Sequence, residues 1–289
     1  MSSITIPRHK CFSLGDLHDF DKCVFAFFVR HHLQKKYELE EGSENQAIGS
    51  LLDLAIKKLH QAKAYNQEPE YLAEALIKAA ENEIRETAIK TGANSFYGGT
   101  IKFLTPEVVN KAQTVFKNYL EKLKGKLNRS LSSKTFWEYT VTDGEQFKLW
   151  GGPDSLELAY EDQIPEVVDY KYFDNPERGK NNLDMDLMPK LYLLLSAQEL
   201  LDQGFKKARF RVRSWQDPED DSIYEEFDLD NLPNLLAYFK DKVRRIMTTS
   251  SLDFCEKGYC KVCQSDKRSE WLSELHQKGF IPTKSDLPF

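Results

Sequence analysis

The stretch WGGPDSLELAYEDQIPEVVDYK, residues 150–171, reads as two adjacent strands joined by a turn. Asp154 opens the first strand, after a Gly-Gly-Pro that lets the backbone bend sharply, and Leu156 and Leu158 alternate behind it. The second strand, EVVDYK, carries Asp169 and Lys171 two residues apart, so both side chains leave the same face. Two carboxylates and an ammonium converging at one end of a hairpin can hold a hard divalent cation and orient a water. The competing reading is a charged strand end without chemistry, since Asp-x-Lys is a common triplet.

Upstream, residues 134–149 alternate apolar and polar, with Phe136, Trp137, Tyr139 and Val141 before a Thr-Asp-Gly-Glu turn at 142–145. That pattern predicts a hairpin feeding the central pair, with Glu138 in its first strand. Downstream, residues 173–186 read as a polar loop, followed by a helix over 187–202 whose Pro189 suits a first turn and from which Tyr192 projects. KKARFRVRSW, residues 206–215, is a basic strand with Arg209, Arg211 and Arg213 on one face. The last long helix spans 232–247 and ends in Arg244 and Arg245.

The N-terminal half reads as helices. Residues 13–33 start with Ser13 as a cap and Asp16 as its capping-box partner, break near Asp21, and continue as a strongly apolar segment. Cys23 lies at the break, before Phe25, Phe27 and Phe28, and on local grounds is a buried small hydrophobe. His31 and His32 read as solvated helix-end residues, and Cys11 has no evident partner. Residues 49–63 form an amphipathic helix with Leu51, Leu52, Ala55, Ile56 and Leu59 on its apolar side. Asp53 falls at the edge of that stripe, where exposure is expected, and His60 lies two turns along the same side. A helical insertion is expected over about 65–131, with helices at 68–91 and 106–127 and a loop at 91–106. Its basic run from Lys117 to Lys134 is either a solvated face or a surface for phosphates.

A chain of 289 residues accommodates one large domain, and 40% hydrophobic with 30% charged residues is the profile of a soluble globular protein. No run of about 18 apolar residues exists, so no membrane partner is expected. Without an apolar leader, and with an odd five cysteines, the chain is expected in a reducing, cytoplasmic setting. A net charge of −6 neither advertises nor excludes a nucleic-acid binder, because acidic faces can offset a basic groove. Cys255, Cys260 and Cys263 are spaced for thiolates that share a metal or cluster, and Cys23 is the natural distant fourth ligand. A zinc knuckle and unligated thiols are the plainer alternatives.

Taken in order, Ser13–Leu14 leading to Cys23, the helix at Gly49, Asp154, the Asp169-Tyr170-Lys171 triplet and three C-terminal cysteines resemble the PD-(D/E)XK nuclease superfamily. The likeness is greatest to its RecB-like branch with an iron–sulfur staple, which includes CRISPR-associated exonucleases of the adaptation machinery and the nuclease domain of AddB. The resemblance covers nearly the whole chain. It implies an α/β fold with a restriction-endonuclease-like core: a mixed central sheet over about 136–171 and 207–227, flanked by helices. One domain, 1–289, would carry the helical insertion and a cluster-binding segment at about 250–289.

By the same resemblance, Asp154 and Asp169 ligate Mg²⁺ or Mn²⁺ and Lys171 positions or deprotonates the attacking water. The Val168 carbonyl or a neighbouring backbone oxygen completes the metal shell, and Tyr192 belongs to the family's Q-x-x-x-Y helix motif. Cys23, Cys255, Cys260 and Cys263 would hold a 4Fe–4S cluster, with zinc as the alternative. The implied activity is exonucleolytic hydrolysis of DNA phosphodiesters on single strands or ends, in DNA repair, recombination or CRISPR-type processing, with a helicase or CRISPR integration partner. Three positions depart from the family pattern: Asp53 stands where a histidine is usual, Met188 where a glutamine is, and the cysteine spacing differs. A non-catalytic DNA-binding or scaffold protein on the same fold is the rival reading.

Overall fold

The computed structural model describes residues 10–35, 42–92, 100–134, 136–144, 146–173, 183–219, 224–249, 254–255 and 260–279. The centres of the loops expected at 91–106 and 173–186, and Glu145 of the expected turn, lie outside the described residues. β1 (Cys11–Phe12) leads into α1 (Leu14–Lys22). Ser13 caps α1 as a full capping box: its hydroxyl accepts the Asp16 N–H at 3.3 Å, and the Asp16 carboxylate accepts the Ser13 N–H at 2.8 Å. Cys23 ends α1 and starts α2 (Val24–Phe27), which runs on as a π-helical turn to His32.

Next come α3 (Glu44–Ala62), α4 (Pro69–Thr91) and α5 (Pro106–Lys122), the last two opened by proline. α3 starts a turn earlier than the sequence reading because Ser43 accepts the Gln46 N–H. Then follow β2 (Arg129–Ser130), β3 (Trp137–Val141), β4 (Phe147–Gly151), β5 (Ser155–Leu158) and β6 (Pro165–Lys171). α6 (Met188–Asp202), β7 (Lys207–Ser214), β8 (Tyr224–Asp228), α7 (Leu232–Thr248), α8 (Lys261–Gln264) and α9 (Arg268–Gln277) complete the chain.

The chain divides into two compact units. The larger, residues 41–137 with 152–232, is built on a five-stranded mixed sheet in the order β2-β5-β6-β7-β8. β6 pairs antiparallel with β5 and parallel with β7. Strand alternation sends Val168 and Tyr170 to one face, where they join a core formed by the apolar stripes of α3, α4 and α5 together with Trp215. Asp169 and Lys171 leave the other face, on which Phe210 also lies and against which α6 packs. The helices of the expected insertion are therefore one of the two helical layers that flank the sheet.

The smaller unit, residues 1–40, 138–151 and 233–289, holds a three-stranded sheet in the order β1-β4-β3, with β1 parallel to β4. The hairpin of β3 and β4 thus belongs to this sheet, not to the one that carries β5 and β6. Gly151 ends β4 with φ of +125°. His31 corrects the expectation of a solvated helix end. It is buried between the rings of Phe12 and Phe27, at 5.2 and 5.0 Å, with Nδ1 3.1 Å from Asp16 Oδ1. His32 is half-buried and stacks on Phe28. The aromatic run makes apolar walls for both imidazoles, and Asp16 gives the inner one a polar partner.

Candidate active site and four-cysteine centre

Asp154 is clasped to β6 twice. Its backbone N–H donates to the Val168 carbonyl at 2.9 Å, and its Oδ2 accepts the Tyr170 N–H at 2.7 Å. The Val168 carbonyl, the oxygen expected in a metal shell, therefore already accepts one hydrogen bond that ties the strand pair together. The bend before Asp154 has a steric cause: a Cβ on Gly152 would stand 2.3 Å from Trp137 Cε3, so only glycine lets the chain pass that ring. Asp169 and Lys171 meet as the period-two reading predicts, with Nζ 2.6 Å from Oδ2.

Asp53 is the correction at this site. Asp53 is half-buried rather than exposed, and its Oδ1 is a buried oxygen without a hydrogen-bond partner. Burial pushes its carboxyl well above the ordinary carboxylate range; Asp154 and Asp169 add repulsion, and Lys171 and Lys57 oppose it. Asp169 is pushed up to about 6 by burial, held back by Lys171 and raised further by Asp154. At Lys171, burial disfavours the ammonium, but Asp169 and Asp154 outweigh it and the pKa rises. The Tyr192 phenol is raised by burial and then by the negative charge of Asp169. Asp53, Asp154, Asp169, Lys171 and Tyr192 are thus electrostatic neighbours in one place.

Three carboxylates that repel one another, one with an orphaned buried oxygen, make an environment that a dication would relieve. The donors are hard oxygens, and they fit Mg²⁺ or Mn²⁺. Lys57, four residues after Asp53 on α3, brings a second ammonium to 4.0 Å from Asp154 Oδ1. Sequence reasoning missed it, although an acid and a lysine at i and i+4 share a helix face.

A second buried polar group lies in the same unit, and sequence reasoning missed it too. Glu157 and Glu166 face each other across β5 and β6 and are each about 1% exposed. Asn128 Nδ2 donates to both, at 3.1 and 3.0 Å. Glu157 Oε1 accepts the Tyr170 hydroxyl at 2.7 Å and stands 3.3 Å from His60 Nε2. Glu166 takes Arg213 at 2.7 Å, Arg211 at 3.0 Å and Arg209 at 3.3 Å. Burial alone would raise Glu157, but His60 first, then Arg213 and Ser155, bring it down to about 2. His60, the alternative to Asp53 as a ligand, therefore serves Glu157. The signal was the arginine at every second position of β7, a row of cations that needs buried anions.

The four cysteines expected to share a metal do converge. Cys23 Sγ lies 3.5 Å from Cys263 Sγ and 3.7 Å from Cys260 Sγ, and all four sulfurs stand within 4.8 Å of one another. Cys260 caps α8 through its sulfur, which accepts the Cys263 N–H at 3.3 Å. Burial raises the Cys23 and Cys263 thiols, while the Cys260 backbone N–H brings Cys255 down to about 7. Thiolates tetrahedral about one ion at about 2.3 Å stand roughly 3.8 Å apart. A cubane, whose irons take one thiolate each, spreads its ligands more widely.

A family model described as the PD-(D/E)XK nuclease superfamily matches residues 11–268. A search of curated proteins finds no match. Among solved structures, the chain aligns with SSO0001 at 13% identity and a TM-score of 0.26, over 82% of this chain and 93% of that one. It aligns with Rai1 of Scheffersomyces stipitis, solved with (3'-NADP)+ and calcium ion, at 12% identity and a TM-score of 0.22, over 97% of this chain and 72% of that one. At such TM-scores neither alignment carries an argument. Among the described residues, no helix is long and apolar enough to cross a membrane.

Proposed function

The chain belongs to the PD-(D/E)XK nuclease superfamily, and from that premise we propose that it is a divalent-metal-dependent exodeoxyribonuclease of the RecB-like, iron–sulfur branch, acting on single strands or ends. The observation that carries the reading is the Asp169–Lys171 pair at 2.6 Å on β6, with Asp154 clasped to the same strand and Asp53 feeling the charge of all three. Asp53, Asp154 and Asp169, with the Val168 carbonyl, would hold Mg²⁺ or Mn²⁺. When bound, such an ion supplies Lewis acidity to a phosphoryl oxygen and lowers the pKa of a coordinated water. Lys171 orients the water and stabilises the negative charge that develops on the phosphate. Tyr192, whose phenol feels the negative charge of Asp169, would help position the strand. The family match spans both compact units, which supports one nuclease domain over 1–289.

The four-cysteine centre supports the branch, since it gathers Cys23 with three C-terminal cysteines. A 4Fe–4S cluster follows from the likeness of that ordered set to the branch; the close sulfur spacing favours a single zinc instead. Anaerobic purification with metal analysis decides: iron with a brown absorption supports the cluster, and stoichiometric colourless zinc replaces it. The site in repair, recombination or CRISPR-type processing, with a helicase or integration partner and a cytoplasmic location, is proposed on the resemblance alone.

The test of the activity is digestion of end-labelled single-stranded DNA in Mn²⁺, with Lys171→Ala as control. Loss of cleavage in the variant supports the assignment. Absence of cleavage by the wild-type protein with its cysteine centre loaded favours the scaffold reading, in which the fold binds DNA without cutting it.

A further inference from the structure

A cleft of about 250 Å³ opens beside Asp154, lined by the end of α3 and by the segment after β2. In a chain of net charge −6 it gathers Lys57, Lys63 and Lys134, and its only acid is Asp154 itself. Lys57 stands at the Asp154 end of the cleft. Lys63, the exposed cap of α3, makes no ion pair among the described residues. Lys134 shares Glu199 at 3.1 Å, the Ser132 hydroxyl accepts the Lys134 N–H at 3.1 Å and bonds Glu199, and Ser133 adds a small hydroxyl to the lining. The other basic cavity of this unit, of about 180 Å³, differs: its Arg209 is already taken by Asp162, Glu166 and Glu226, so it has little charge to offer an anion.

We propose that this cleft is a phosphate subsite that seats the backbone phosphate next to the scissile one in a single DNA strand. Lys57 and Lys63 supply the charge, and Ser133 supplies a hydrogen bond. The inference rests on the nuclease reading, because it takes the acids beside Lys171 as the place where the scissile phosphate sits. A Lys63 unpaired among the described residues and a Lys57 held only loosely by Asp154, in a cleft whose lining has one acid, match a polyanion whose charges repeat along a chain. The subsite reads no base and sets register alone.

The test is equilibrium binding of a labelled single-stranded oligonucleotide by the full chain carrying Lys171→Ala, with and without Lys63→Gln, over a range of salt. Each phosphate contact on a single strand contributes about 0.7 to the salt slope, so Lys63→Gln is expected to flatten the slope by about that amount. A single methylphosphonate, moved along the oligonucleotide, is expected to weaken binding at one linkage in the parent and not in the Lys63→Gln protein. In the otherwise wild-type chain, Lys63→Gln raises KM about threefold and leaves kcat in place, with a superimposable melting curve. An unchanged salt slope, or methylphosphonate effects that add at every linkage, overturns the subsite. The slope needs no catalysis, so the two readings fail separately. DNA bound without cleavage by the wild-type protein removes the nuclease reading; cleavage with an unaltered Lys63→Gln slope removes the subsite.

Discussion

A half-buried carboxylate with one buried, unpartnered oxygen, as Asp53 has beside two other acids, opposes folding unless a cation joins it. Asp53→Asn keeps the shape and removes the charge. Without divalent ions the variant is expected to melt above the wild type, and with Mn²⁺ it loses most of the rise in Tm that ligand binding confers, about 2.7 kcal/mol at one hundred times Kd. Its cleavage rate falls at the same time, the usual exchange of stability against activity at a strained site. A lower metal-free Tm together with an undiminished Mn²⁺ shift would count against Asp53 as a ligand. Glu157 sets a different pH dependence. Its folded pKa of about 2 lies below the ordinary 4.5, so its contribution is present above pH 4.5 and drains away as pH falls toward 2. Urea titrations across that window should show stability falling in the wild type and a shallower fall in Glu157→Gln. At this scale, Asp169 and Lys171 were legible because a strand fixes which neighbours share a face. Asp53 was not, since one acid at the edge of an apolar stripe looks the same whether the edge meets water or a sheet. Glu157 and Glu166 alternate with leucine, proline and valine as solvent-facing residues do, and only their partners on β7 show otherwise.

The strand pair of β5 and β6 works because the turn that enters it has one permitted shape. The missing Cβ of Gly152 makes room for the Trp137 ring, whose Nε1 donates to Glu199 at 2.9 Å. Gly152→Ala must move the ring or the backbone that carries Asp154, and overpacking of this kind costs about 1–3 kcal/mol. Cleavage is expected to fall further than stability explains, because Asp154 lies two residues on. Gly49 is the contrast: it sits within α3 with open space where a Cβ would go, so Gly49→Ala is expected to stabilise by about 0.5–1 kcal/mol. Denaturant midpoints of the two variants should therefore move in opposite directions, and parallel shifts would refute the steric account. The elements were readable from periodicity: the α3 stripe, the Arg209–Arg213 strand and the prolines that open α4 and α5 all carry local signatures. The separation of β3 and β4 into a sheet with β1 was not, because β1 is two residues long and its partner stands far away in sequence.

Over the whole molecule, the four-cysteine centre closes a loop that spans most of the chain, since Cys23 and Cys263 are 240 positions apart. That link was open to sequence reasoning only as arithmetic, three clustered cysteines wanting a fourth; the segments that carry them have no shared pattern to predict their meeting. A metal that ties them removes much of the freedom of the unfolded chain, and the chain-entropy relation gives about 5 kcal/mol for a loop of this size. The ligands are then unequal in their effect on stability. Cys23 is the one ligand of the four that lies outside the C-terminal segment, which Phe25 also meets through Phe254, whereas Cys255, Cys260 and Cys263 close only short loops among themselves. Cys23→Ser is therefore expected to lower the guanidinium midpoint far more than Cys255→Ser, which leaves Cys23, Cys260 and Cys263 to hold the long loop closed. Chelation of the wild-type protein should approach the Cys23→Ser value and should leave the Cys23→Ser protein nearly unmoved. Equal losses for the two serine variants would mean that the centre stabilises its own neighbourhood alone, and that the 240-residue closure contributes little.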